Sequence, residues 1–262
     1  MHRRFFTILF LAFIALGCAV WLFMYPKQGG GKTALTVFCA AGLKNPVEAI
    51  ARQYQDECGI EVFLQYGPTG TLLSQLQIAK QGDLFIATDN GSHADARRLN
   101  VITEAVPIAV QHPVVAVKKG NVKGIRSLAD LTRADVKLAI ANPDSASISK
   151  VTRMLLAAQW EGIAAKAAVM KPTVTEIAAD VQLGAVDAAI LWDATVPQFK
   201  GLEAVELPEL TKHRENASAA VLAACTQPQE ALKFARYLAM PERGGKIFQQ
   251  HGFQTGAVLS KL

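Results

Sequence analysis

IEVFLQYGPTGTLLSQL, residues 60–76, carries the change of period on which the fold turns. Ile60 to Tyr66 is a run suited to a strand, and Gly67-Pro68 breaks it. Beyond the break Leu72, Leu73 and Leu76 form an apolar stripe at helical spacing. The pattern predicts a strand, a tight turn and a helix. The same sequence of elements precedes it. LTVFCA, residues 35–40, reads as a buried strand; past Gly42, the residues Val47, Ile50, Ala51 and Tyr54 share one helix face. Asn45-Pro46 suits a cap and first helical turn, and Gly59 ends the helix. DLFIATD, residues 83–89, follows as a third strand, and a polar segment runs from Ser92 to Leu99. Strands alternating with helices in this way predict right-handed crossovers in a largely parallel sheet.

The character changes near His112. PVVAVKKG (113–120) is strand-like, and VKGIRSLADL (122–131) links it to a short helix. KLAIANP (137–143) opens another α/β set, whose helix places Val151, Met154, Leu155 and Ala158 on one face expected to be core. VTEIAADV (174–181) repeats the helical pattern, and VDAAILW (186–192) reads as a buried strand. After LEAVELP the period fades until ASAAVLAAC (217–225), and a last clear helix carries Ala231, Phe234, Ala235 and Leu238. The alternation predicts two α/β lobes, with a single open sheet as the alternative.

Residues 1–32 stand apart. His2, Arg3 and Arg4 precede twenty-one uncharged residues, Phe5 to Tyr25, a length that suits a membrane-crossing helix with the body outside the cytoplasm. The apolar run continues through Trp21, Phe23 and Tyr25, which favours a retained anchor over a cleaved signal. ALGC, Ala15 to Cys18, offers lipid attachment as the alternative. PKQGGGKT (26–33) reads as a flexible tether. The formal charge of +5 falls to +3 without Arg3 and Arg4, and no basic block remains to suggest nucleic acid. Cys39, Cys58 and Cys225 make no CxxC, and spacing does not decide whether any two pair.

Catalytic signatures are sparse. There is no GxSxG elbow, and His93, His112, His213 and His251 are scattered. Asp83, Asp89, Asp187 and Asp193 stand near strand ends without a partner, so a hydrolase or transferase using Asp83 or Asp193 is the enzyme alternative; the expectation is no enzyme, no cofactor and no directly held metal. YGPTGTLLSQL lacks both nucleotide-phosphate patterns. What remains is Thr69-Gly70-Thr71 at a helix start, where free amides and hydroxyls can hold an anion; the alternative is an ordinary helix cap. CAAGLKNP around Gly42 and NPDSASISK with Ser145, Ser147 and Ser149 are two further small-residue turns after strands. Turns of this kind, drawn from two lobes, would meet in a cleft at the carboxyl ends of strands. Donors without a lysine or arginine suit a small, fully deprotonated anion, since each donor demands an acceptor.

LTVFCAAGLKNPVEAIARQY, IEVFLQYGPTGTLLSQL, GDLFIATD, ANPDSASISKVTRMLL, VTEIAADVQLGAVDAAILWDAT and ALKFARYLAMPERGGKIFQQHGF occur in this order. Together they resemble the molybdate- and tungstate-binding proteins of ABC importers, a branch of the type II periplasmic binding proteins, over nearly all of the chain after Thr33. The resemblance implies a two-lobed α/β fold, with 33–112 plus 213–262 as lobe one and 113–212 as lobe two. It implies oxyanion contacts at Ala41, Gly42, Thr69, Gly70, Ser147, Val174 and Trp192, with Ser145 and Ser149 as alternatives to Ser147. It also implies a monomer that delivers molybdate or tungstate to an ABC permease and ATPase at the outer face of the membrane. The family often has serine where Gly42 stands and tyrosine where Trp192 stands, and its PxG-like segment reads ASI at 146–148. Each altered donor shifts oxyanion preference by roughly 1–3 kcal/mol if it leaves an oxygen unmatched. The competing role is an anchored sensing module for sulfate or a small organic anion; a purely structural envelope domain is a third.

Overall fold

Where the chain passes between its two sheets, it does so side by side with itself, and this sets the strand directions. The structure is a computed structural model that describes residues 34–256. The apolar stretch Phe5–Tyr25, the ALGC segment and the tether up to Thr33 lie outside the described residues. Among the described residues no helix is long and apolar enough to cross a membrane.

In chain order, β1 (Ala34–Ala40) leads through a single 3₁₀ turn into α1 (Lys44–Cys58), then β2 (Glu61–Gly67), α2 (Thr69–Ala79), β3 (Leu84–Ala87), α3 (Asn90–Arg98) and β4 (Ile102–Gln111). Next come β5 (Pro113–Lys118), β6 (Leu138–Ala141), α4 (Ser147–Leu156), α5 (Trp160–Lys166), β7 (Ala167–Lys171), α6 (Val174–Leu183), β8 (Ala188–Trp192) and β9 (Leu202–Val205). The chain closes with α7 (Pro208–Thr211), β10 (Glu215–Leu222), α8 (Pro228–Ala239) and α9 (Lys246–Gln250). One sheet has the order β2-β1-β3-β10-β4 and the other β7-β6-β8-β5-β9, giving two α/β lobes rather than one open sheet.

Both sheets are mixed, which corrects the expectation of largely parallel pairing. β10 runs antiparallel to β3 and β4, and β5 antiparallel to β8 and β9. The cause is the crossing. β4 ends on its way out of the first lobe and β10 begins on its way back, with Glu215 opposite Gln111, so the two must run in opposite directions. β4 itself escaped the sequence patterns because Pro107 argues against a strand; it is accommodated beside a register shift at Ala217/Ser218.

The strands of the first lobe are apolar on both faces because both are covered. Leu35, Val37 and Cys39 pack with α1 and α8, whereas Phe38 and Phe85 face Leu72, Leu73 and Leu76 of α2. Val47, Ile50, Ala51 and Tyr54 are all buried, as their spacing predicts, and Gly59 ends α1 in the left-handed conformation. Asn45 is not the cap of α1: the Gly42 turn winds directly into the helix, and Asn45 Nδ2 instead donates to Gln198 Oε1 at 3.0 Å. The polar segment after β3 is a helix, α3, capped by Asp89 Oδ1, which accepts the Ser92 amide at 2.7 Å.

In the second lobe Val174, Ile177, Ala178 and Val181 are buried as expected. The face predicted for α4 is corrected. Val151 is buried and Leu155 packs against the core, but Met154 is 60% exposed and Ala158 lies in a 3₁₀ turn after the helix; the other buried positions of α4 are Ser147, Ile148, Ser149, Thr152 and Leu156. Cys39 is buried, Cys58 exposed and Cys225 half-buried, and all three are free.

The crossings are pinned by acid groups. His112, between β4 and β5, has its amide bound to Asp193 Oδ1 at 2.9 Å and its Nδ1 2.9 Å from Asp193 Oδ2; its Nε2 lies 3.0 Å from Glu206. Just before the returning strand, His213 Nε2 lies 2.6 Å from Glu215, whose other oxygen accepts the Asn90 amide at 2.6 Å. Burial by itself pulls the His112 pKa down, but Asp193 and Glu206 outweigh it and the pKa is raised. The contribution of protonated His112 is therefore complete below its unfolded pKa of about 6.5 and fades as pH rises through the higher folded value. His112→Gln should lower the melting temperature more at about pH 5.5 than at about pH 9; an equal loss at both would show that the charge contributes nothing.

Candidate functional site

Strands that run the same way deliver the starts of their following helices to the same edge, and here the edges of the two lobes face each other. β1 ends at the 3₁₀ turn Ala41–Leu43, β2 at Pro68-Thr69, β6 is followed by Ala146-Ser147, and β7 by Thr173-Val174. These four turns, with Thr88 after β3 and Trp192 at the end of β8, line one hollow. Its volume is about 20 Å³ for the centres of water-sized groups, a little above the 10–15 Å³ or so that admits one water.

Among the described residues no lysine, arginine, histidine, aspartate or glutamate lines it. Its polar character comes from hydroxyls and helix starts. α2 begins after Pro68 and α4 after Ala146, and neither has a side-chain cap; the turn at Ala41–Leu43 has none either. The first amides of such helices have no acceptor within the helix, and their partial positive charge faces outward along the axis. α6 differs. Thr173 Oγ1 accepts the Glu176 amide at 3.3 Å, and the Glu176 carboxylate returns to the Thr173 amide at 3.0 Å, a closed capping box.

The two lobes touch around the hollow. The Gly70 amide donates to the Ser145 carbonyl at 2.8 Å, Thr88 Oγ1 and Ser147 Oγ lie 2.6 Å apart, and Lys150 forms an ion pair with Asp95. Gly42 faces Val174: a Cβ at position 42 would lie 3.1 Å from Val174 Cγ2 and 3.8 Å from Thr195 Oγ1, a buried hydroxyl with no partner of its own.

Of the residues singled out in the sequence, Ala41, Gly42, Thr69, Ser147, Val174 and Trp192 line the hollow together. Gly70 stands behind them, with its amide turned to the other lobe. Ser145 offers its carbonyl to Gly70, and Ser149 is buried within α4 away from the wall. Thr88 and Thr173 belong to the lining and were not singled out. A hydroxyl at the carboxyl end of a parallel strand was the available signal for Thr88.

The strand-end aspartates have local duties. Asp83 accepts the Thr36 amide at 2.8 Å and the Cys225 thiol at 3.1 Å, Asp89 caps α3, Asp187 accepts the Lys137 amide at 2.8 Å, and Asp193 holds His112. His93 is buried against Phe85, and desolvation lowers its pKa to about 4.

The family model for bacterial extracellular solute-binding proteins matches residues 35–254. The chain belongs to this family. This solute-binding protein is 28% identical over 223 residues to a binding protein of Haemophilus influenzae, covering 84% of this chain and 90% of that one. It is 27% identical over 232 residues to the molybdate-binding protein ModA of Mycobacterium bovis, covering 87% and 86%. Among solved structures, the periplasmic molybdate-binding protein of Azotobacter vinelandii superposes with a TM-score of 0.70 at 17% identity, over 85% of this chain and 99% of that one. The sulfate-binding protein SubI of Mycobacterium tuberculosis superposes with 0.72 at 18% identity, over 86% and 88%. Both share its two-lobed periplasmic-binding-protein fold.

The closed cleft yields a direct prediction. A side chain at Gly70 would bring its Cβ to 3.0 Å from the Ser145 carbonyl oxygen, tight enough that the facing backbone must give way. Gly70→Val should hold the lobes apart and give a larger radius of gyration than wild type in small-angle scattering. Superimposable profiles would mean that this contact does not govern closure.

Proposed function

We propose that this solute-binding protein captures a small, fully deprotonated tetrahedral oxyanion, molybdate or tungstate before others, outside the cytoplasm and delivers it to an ABC permease and ATPase. The observation that carries this proposal is the meeting of uncapped helix starts from both lobes around a hollow lined by hydroxyls and, among the described residues, by no charged side chain. An oxyanion entering such a place exchanges hydration for fixed amide and hydroxyl donors, each of which needs an acceptor. The identity to a molybdate-binding ModA over most of both chains supports the same ligand class.

In this role Thr69 donates its hydroxyl and its own amide at the start of α2, and Ser147 donates from α4. The amides of Ala41 and Gly42 serve the first lobe's side, and Val174 supplies an amide from α6. Trp192 donates through its indole nitrogen. A four-oxygen ion is larger than one water, so the cleft must open about its crossings to admit it and close again to bury it, and the closed form is the one a permease reads. Sulfate has the same charge and shape with shorter bonds to oxygen, so size is left to discriminate between them.

Titration calorimetry of the fragment from Lys32 onward tests this. Molybdate or tungstate should bind tightly at one site per chain. Phosphate, which keeps a proton near neutral pH, should bind much more weakly because that proton faces a donor. Thr69→Ala should weaken binding roughly tenfold, the effect of losing one charge-assisted hydrogen bond. Tight binding of sulfate with none of molybdate would transfer the protein to another anion, and binding of no anion would end the proposal.

A further inference from the structure

The hydroxyls of Thr88 and Ser147 lie 2.6 Å apart, belong to different lobes and are both buried. We propose that Thr88 is the residue that positions Ser147 for the anion, so that this donor is completed only when the cleft closes. The inference rests on the oxyanion reading of the hollow and concerns how that site is regulated.

Three features support it. First, Ser147 opens α4, yet its hydroxyl bonds across the cleft and does not cap its own helix. Its orientation is thus set by the other lobe. Second, Thr88 is itself fixed: its carbonyl accepts Gln111 Nε2 at 2.9 Å, and Gln111, 1% exposed, immediately precedes His112 at the crossing. The line from crossing to hollow is Gln111, Thr88, Ser147. Third, both residues line the hollow. Two hydroxyls have two protons, and only one can lie between their oxygens. The other proton is left to point at a ligand, and the bond behind it strengthens its donation, because linked hydroxyls polarise each other.

In the open cleft the two oxygens separate, and each hydroxyl turns to water. Closure without Thr88 would leave Ser147 free to turn toward the carbonyls of its own loop and away from the anion. Thr88 therefore ties anion affinity to closure, without itself having to be the stronger donor.

The test compares molybdate, tungstate and sulfate binding by calorimetry in the wild type, Thr88→Val, Thr88→Ser, Ser147→Ala and the Thr88→Val/Ser147→Ala double variant. Valine matches threonine in shape and removes only the hydroxyl. Thr88→Val should weaken binding about tenfold and Thr88→Ser by less than about threefold. In the Ser147→Ala background, Thr88→Val should have almost no further effect, because its action passes through Ser147. Thr88→Ala replaces Thr88→Val in the cycle if the latter does not melt as a single transition. An equal loss from Thr88→Val with and without Ser147 would show a merely structural role and overturn the inference, as would unchanged or tighter binding. A wild type that binds none of these anions would remove the oxyanion reading and this inference together, whereas a wild type that binds them with Thr88→Val unaffected would overturn the inference alone.

Discussion

An amide at the start of a helix has no acceptor in that helix, and when the helix also lacks a side-chain cap, the acceptor must come from elsewhere. At α2 and α4 this need is left standing at a place where the lobes meet. α2 satisfies part of it through Gly70, which donates to Ser145 across the cleft. The remaining donors face a wall that is small, uncharged and rich in hydroxyls. α6 shows the contrast within the same wall: its capping box is closed by Glu176, and its start is the one already supplied with a carboxylate. On the proposed oxyanion reading, preference for an anion would arise from what the helix starts lack.

A second set of backbone amides, at strand ends and crossings, is matched by carboxylates. Asp83, Asp187, Asp193 and Glu215 each accept a backbone amide from a neighbouring segment. Carboxylates that looked like possible reactive groups are structural acceptors, and their positions explain why they cluster at strand termini: that is where pairing stops and amides are left over. His112 and Asp193 bind each other through main chain and side chain together, which makes the first crossing a defined joint.

Much of this was legible in the sequence because burial on both faces of a strand leaves a continuous apolar run, as in LTVFCA and VDAAILW, and a one-sided helix leaves a spaced one, as at Val174 to Val181. Strand direction was not legible, since parallel and antiparallel strands bury the same residues; only the paired crossings decide it. Pro107 concealed β4, and Met154 entered the predicted face of α4 because a stripe shifted by a residue or two fits an apolar count almost as well. Asn45 suits a cap by type but lies within the helix. The turns at Gly42, Thr69 and Ser147 were visible as small or capping residues after strands, whereas Val174 and Trp192 came only from the family resemblance. Thr88 was not, because a single hydroxyl at a strand end has no periodic signature, and its meaning comes from a partner 59 positions along the chain.

The place of β10 between β3 and β4 has a consequence for how the protein is made. A ribosome releases β3 and β4 more than a hundred residues before Glu215, the first residue of the strand that joins them. Until then β4 has no neighbour in its sheet and β3 keeps a bare edge, so the first lobe can mature only after the second has been synthesised.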